Sequence, residues 1–328
     1  MSSVKNVFVL GGTGYIGGSV LHRLLKNSDK DKYKYTALVR SNNYENEMKS
    51  LGVDTVQGDL SSLDLLYETA KKSDIVINCA DADHLESVQA LVNGLKARND
   101  KNSIYLHTSG TGLLIDLLKD DEDPVDDSDM KQILNIPMKA LHKNVDQWIF
   151  DNAESHLQYV IIAPSTINGL SSSPFKKNSV QVITMARASV GVGKAGYPQS
   201  HRHGKDRWNN VHIEDLVELY NLVLQGLIRK SIPSGVQGGF YFGITNEHTW
   251  GEVAHHLAKE LKKIGKIQTE EVIEFDNDTM NKYFNNTGFG ESRGVANRAK
   301  TLGWKPTHPN VYETIPEELK YLVESKQI

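Results

Sequence analysis

Through the first half of the chain, short apolar runs alternate with amphipathic stretches. Residues 4–10 (VKNVFVL) form an apolar run stopped by glycine, the pattern of a strand buried on both faces. Similar runs at 35–40 (YTALVR), 53–59 (VDTVQGD), 74–80 (DIVINCA), 102–109 (NSIYLHTS) and 157–164 (LQYVIIAP) predict five more strands. Helical patterns separate them at about 15–26, at 61–72, at about 84–98, and from about Pro137 to near His156. Serines precede Leu63, Leu66 and Ala70 in the second of these, as helix caps do. Strands alternating with helices imply a parallel sheet covered on both faces, and the right-handed crossover makes it doubly wound.

The pattern changes after Pro164. Loops at 168–179 and 191–205 are rich in serine, asparagine, glycine and lysine. Helices are expected at 180–190, 213–229 and 249–264, the last with Val253, Leu257, Leu261 and Ile264 on one face. The chain therefore divides into a sheet-forming part, 1–164, and a smaller mixed α/β part, 165–328, folded partly back on the sheet. An acidic loop at 120–129 reads as a solvated segment, because nothing there fixes a coordination geometry.

Composition narrows the function classes. With 328 residues, 39% hydrophobic and 24% charged, the chain has the length and balance for a large core. A net charge of −4 gives no basic excess for nucleic acid or an anionic membrane. Cys79 is the single cysteine, so no intramolecular disulfide framework exists. No run of about 18 apolar residues is present to span a bilayer, and the start enters a strand-like run without a leader pattern. A cytoplasmic protein is the expectation.

The turn between the first strand and the first helix carries the strongest chemistry. In VLGGTGYIGG, Gly11, Gly14 and Gly17 have the Gly-x-x-Gly-x-x-Gly spacing. The first permits a tight turn, the second lets backbone approach a pyrophosphate, and the third lets helix and strand pack closely. The free N–H groups at the helix start then hold the phosphates. This strand–turn–helix context predicts a dinucleotide-binding (Rossmann) domain over 1–164. The second strand ends at Arg40, where a carboxylate would bind the ribose of NAD; an arginine suits the 2′-phosphate of NADP. NADP is therefore expected ahead of NAD. Asp59 sits either beside the adenine ring or as a helix N-terminal residue. With Thr13, Tyr15 and Ile16 in the turn, Leu60 beside Asp59 and Ala80 at the end of the fourth strand, these residues form the expected cofactor wall.

Taken together, GGTGYIGG, VINCA, LHTSGTG, APSTING and WNNVHIEDLVELY (208–220) resemble the extended and atypical short-chain dehydrogenase/reductases, close to the NAD-dependent epimerase/dehydratase and NmrA-like branches. The resemblance implies that Ser109 bonds the substrate oxygen, with Thr108 nearby, and that Pro164, Ser165 and Thr166 receive the nicotinamide. It also implies a Tyr-x-x-x-Lys pair. Lys143 takes the lysine place with Lys139 four before it, or Lys139 takes it with Asn135 in the tyrosine place; neither register supplies a tyrosine. A hydride added to a carbonyl leaves an alkoxide that must be protonated. His142, with an unperturbed pKa near 6.5, or a crowded lysine are the candidate donors. The catalytic set is thus Ser109, Lys143 and His142.

His201 and His203 lack a third ligand, so no metal is expected. Lys194, His201, Arg202, Lys205 and Arg207 form either a patch for a distal anionic group of the substrate or a solvated basic loop. Two functions stay open. One is an NADP(H)-dependent oxidoreductase or epimerase-like enzyme acting on a small carbonyl or hydroxyl compound. The other is a non-catalytic, NmrA-like protein that binds NADP(H) and reports the redox ratio to a partner. Expected partners are a small-molecule substrate and either a second copy of the chain or a regulatory protein.

Overall fold

Seven parallel strands form the central sheet of the computed structural model, which describes residues 4–98, 100, 102–119, 122–153, 157–285 and 289–328. Six are the predicted apolar runs: β1 (Lys5–Leu10), β2 (Tyr33–Val39), β3 (Asp54–Gln57), β4 (Ile75–Asn78), β5 (Ile104–Thr108) and β6 (Gln158–Pro164). The seventh, β7 (Phe240–Gly243), comes from the second half of the chain and pairs with β6 from Phe240↔Ile161 to Gly243↔Pro164. The sheet order is β7-β6-β5-β4-β1-β2-β3. Chain order reverses on the two sides of β1, which opens a crevice above the carboxyl ends of β1 and β4, the place where such sheets bind ligands.

The helices that cover the sheet are α1 (Tyr15–Leu24), α2 (Leu63–Lys71), α3 (Leu85–Ala97), α4 (Lys143–Ala153), α5 (Gln181–Val192), α6 (Ile213–Arg229), α7 (Trp250–Lys263) and α8 (Val311–Glu324). α1 packs on α6, while α2 packs on α3 and α3 on α4. Every residue of β5 is buried, as an apolar strand in the middle of a doubly covered sheet must be. A second apolar cluster, with Trp208, Trp250 and Phe275 at its centre, is closed by α5, α7 and α8. None of the described helices is long and apolar enough to cross a membrane.

Two expectations change. α4 begins at Lys143, not near Pro137, because His142 has φ 66, a left-handed conformation that cannot continue a right-handed helix. Lys139 therefore lies in a turn before the helix, and Lys139 and Lys143 are not successive positions on one helical face. The predicted helix end near His156 and residues 120 and 121 of the acidic loop fall outside the described residues.

β7 is held by more than its ladder. Phe242 is fully buried, packs edge-on against Phe240, and its N–H donates to Asp127 Oδ2 at 3.0 Å. Phe242→Ala is expected to destabilise the protein by about 3 kcal/mol or more, read as a lower urea midpoint with an unchanged slope.

Candidate active site

The glycine turn is built by close backbone approach. Gly11 has φ 75, and a Cβ there would overlap the carbonyl oxygen of Cys79 at the end of β4. A Cβ on Gly17 would overlap the carbonyl of Gly11. Gly14 caps α1 with no side-chain partner, its N–H donates to Gly11 O at 2.8 Å, and the first turn of α1 holds no acidic residue. The helix thus presents amide donors and an uncompensated partial positive charge to the crevice.

A cavity of about 550 Å³ lies in front of this turn. Gly11, Thr13, Gly14, Arg40, Asp59, Leu60 and Ala80 all line it, so the structure brings these sequence candidates together. A second cavity of about 310 Å³ shares Cys79 and Ala80 with the first and adds Tyr15, Ile16, Ser165 and Lys176. Arg40 is exposed just past β2. Asp59 Oδ1 accepts from the Ser61 N–H and the Ser62 hydroxyl at 2.9 and 3.0 Å, the work of a turn residue ahead of α2. Gly17, Thr108, Pro164 and Thr166 line neither cavity. Thr108 Oγ1 lies 2.7 Å from the Tyr220 hydroxyl, Pro164 pairs with Gly243, and Thr166 is fully buried. The Tyr15 hydroxyl donates to the carbonyls of Asn168 and Gly169, which joins α1 to the loop beyond β6.

Ser109 follows β5 directly, and its N–H continues the ladder to Ile162 O. Its hydroxyl donates to Asp146 Oδ2 on α4 at 2.7 Å; the two residues are 5% and 2% exposed. Asp146 Oδ1 faces His107 Nε2 at 3.9 Å. Burial raises the Asp146 carboxyl to about 7 and lowers His107 to about 3. His142 Nδ1 sits 2.8 Å from Asp83 Oδ1, and its Nε2 lies against the backbone of Gly110 and Gly112, where a Cβ on Gly110 would stand 3.0 Å away. His142 and Ser109 therefore reach the same end of β5.

Lys143 is directed inward. Its side chain is buried, and its ammonium donates to the carbonyls of Ile133 and Leu134 at 3.0 and 3.2 Å. These are the last carbonyls of the short helix Met130–Leu134, so the ammonium caps that helix. Burial lowers its pKa, with Asp146 and Asp151 opposing. Asn135 is the C-cap of the same short helix. The basic loop is not a free cationic patch either: Arg202 and Arg207 meet Glu291 at 3.0 and 2.9 Å, Lys194 meets Glu271 at 2.8 Å, and His203 meets Glu274 at 3.0 Å.

Sequence reasoning misses Asp146 and Asp83 as partners of Ser109 and His142. The one signal for Asp146 is its spacing of four from His142, one helical turn. Asp83 sits between β4 and α3 with no pattern to mark it.

A folded-state carboxyl above its unfolded value near 3.9 binds a proton more tightly when folded. Its contribution to stability is complete below about pH 4 and is lost as pH rises through about 7. Asp146→Asn is therefore expected to lose less stability than wild type between pH 4 and 7.5, seen in urea midpoints measured across that range.

Comparisons with known proteins agree with this geometry. The NAD(P)H-binding family matches residues 11–190. The oxidase ucsJ of Acremonium sp. is 28% identical across 98% of this chain and 97% of its own length. An NmrA-like family domain-containing protein of Dictyostelium discoideum is 46% identical, over 17% of this chain and 18% of its own. Among solved structures, a dTDP-glucose 4,6-dehydratase of Bacillus anthracis in complex with NAD superposes with a TM-score of 0.72 at 15% identity, covering 98% of both chains. A UDP-glucose 4-epimerase of Thermotoga maritima gives 0.68 at 15% identity over 98% of this chain and 99% of its own. The chain belongs to the NAD(P)H-binding family and shares the fold of the dehydratase and the epimerase.

Proposed function

We propose that the protein is an NADP(H)-dependent oxidoreductase or epimerase-like enzyme acting on a small carbonyl or hydroxyl compound. The observation that carries this reading is the pair of proton-handling groups converging on the carboxyl end of β5: the Ser109 hydroxyl backed by Asp146, and the His142 imidazole backed by Asp83. A protein that only bound a nucleotide would have no use for either.

The residues fit the cofactor. A Cβ at Gly11 or Gly17 would fill the cradle, and the opening turn of α1 offers donors without a competing carboxylate. Arg40 stands at the mouth of the larger cavity, where a guanidinium suits a phosphate better than a diol. Asp59, the carboxylate near it, is already engaged by Ser61 and Ser62. Both points support NADP over NAD. When bound, the nicotinamide supplies or accepts the hydride. Ser109 then orients the reacting oxygen. His142, with Nδ1–H directed to Asp83, presents Nε2 toward Gly110 as acceptor or, when protonated, as donor. Lys143 lies outside this proton path, since its ammonium is spent on backbone carbonyls.

A redox-ratio sensor is the second reading, favoured by the missing tyrosine and the inward-turned Lys143. It requires unequal affinity for the oxidised and reduced nucleotide, because a ligand without preference shifts no equilibrium.

Two measurements test the enzyme. Arg40→Ala should weaken NADPH binding about tenfold or more, roughly the worth of one charge-assisted contact, and leave NADH affinity nearly unchanged in calorimetry. Ser109→Ala should lower kcat/KM for NADPH-dependent carbonyl reduction by about 100-fold while NADPH affinity stays within about twofold. Tight NADPH binding with no turnover across a broad panel of aldehydes, ketones and nucleotide sugars would refute the enzyme and leave the sensor.

A further inference from the structure

Asp146 is a buried acid without a cation. Among the described residues no ammonium or guanidinium bonds it; Lys143, at the start of the same helix, faces backbone carbonyls. Its Oδ1 has no hydrogen-bond partner, and neither has His107 Nε2 opposite. For stability alone this is a poor arrangement, since an unpaired buried carboxyl is costly to keep. Strongly perturbed acids of this kind cluster at functional sites.

The surrounding bonds fix where protons sit. The Ala80 N–H donates to Asn78 Oδ1, so the Asn78 amide nitrogen points at the Tyr105 hydroxyl and at His107 Nδ1. Among the described residues, the Tyr105 hydroxyl then has His107 Nδ1, 3.2 Å away, as its acceptor. His107 Nδ1 accepts, so its proton is on Nε2, directed at Asp146 Oδ1. Any proton on the carboxyl therefore belongs on Oδ2, the oxygen that Ser109 meets at 2.7 Å.

Serine has one hydrogen to give. Against a carboxylate, Ser109 turns that hydrogen inward to Asp146. Against a carboxyl, Asp146 donates and the serine hydrogen is free to point outward. We propose that Asp146 sets the direction of the Ser109 hydroxyl and, through it, delivers the proton that the reacting oxygen takes. In the reducing direction the carbonyl carbon gains hydride from NADPH, its oxygen takes the Ser109 proton, Ser109 takes the Asp146 proton, and a solvent proton restores the carboxyl. Oxidation runs the same transfers backward, with the substrate hydroxyl proton leaving to Asp146 and the hydride to NADP. Ser109, just past β5, bonds Asp146 and His107 of β5 stands opposite it; the charges that act on it are those of His142, Lys143 and Asp83, while Lys96 of α3 is bound to Asn152 O. A carboxyl raised to about 7 is half-protonated near neutrality, which suits a donor that must be refilled. Asp146 is here a positioning residue acting through Ser109, and the inference rests on the enzyme reading above.

Infrared difference spectra of the NADPH-bound protein, taken from acid to alkaline pH, give a readout free of turnover. The expected result is a protonated-carboxyl band that titrates near neutrality, is absent in Asp146→Asn and shifts in Ser109→Ala. In carbonyl reduction, kcat should fall at high pH with the same midpoint. Asp146→Asn should lose at least tenfold in kcat with little change in KM, and its residual rate should lack that alkaline limb. Ser109→Thr, which restores a hydroxyl, should regain both rate and limb. Turnover in Asp146→Asn with the limb intact, or no titrating band near neutrality, overturns the relay alone. If Asp146→Asn does not fold, a band unmoved in Ser109→Ala overturns it. NADPH binding with no carbonyl turned over defeats the enzyme reading, and the relay falls with it.

Discussion

The contact on which this molecule depends is backbone on backbone, where Gly11 lies against the carbonyl of Cys79 and Gly17 against the carbonyl of Gly11. It lets α1 start within the crevice between β1 and β4 instead of above it. Every other distance in the site follows from that approach. The helix amides face the larger cavity, Arg40 and Asp59 reach it from the ends of β2 and β3, and Ala80 carries the wall across to the second cavity. A side chain at either glycine would hold the helix off and open the crevice.

Beside the sheet, the chain entering α4 decides which polar groups reach the carboxyl end of β5. Where related enzymes are expected to hold a tyrosine and a lysine, the chain ahead of α4 makes a turn that His142 ends in a left-handed conformation. That conformation lays the imidazole on Gly110 and Gly112, which have no side chains to obstruct it. The following lysine is directed inward to finish a short helix, and Asp146, a turn further on, takes the serine hydroxyl.

Much of the fold was legible because buried strands are runs and surface helices are stripes. The six apolar runs became β1 to β6, and 213–229 matches α6 residue for residue. β7 was not legible: Phe240, Tyr241 and Phe242 are three residues between glycines, too short to distinguish from a core turn, and only pairing with β6 makes the segment a strand. The cavity wall in front of the glycine turn was readable since its members lie in one strand–turn–helix unit or at strand ends. The Ser109–Asp146 and His142–Asp83 pairs were not, because 37 and 59 residues separate the partners and no local periodicity encodes such a meeting. The direction of the Lys143 ammonium was hidden for a similar reason: its acceptors are carbonyls, which every residue has.

The hydroxyl of Tyr15 gives the two halves of the chain a mechanical link. It belongs to the first residue of the phosphate-facing helix, yet it grips the carbonyls of Asn168 and Gly169 beyond β6. Gly169 is packed in turn against the ring of His212, which caps α6. Through one phenol and two peptide oxygens, the opening turn of α1 is thus tied to the loop beyond β6 and, by way of Gly169, to the start of α6.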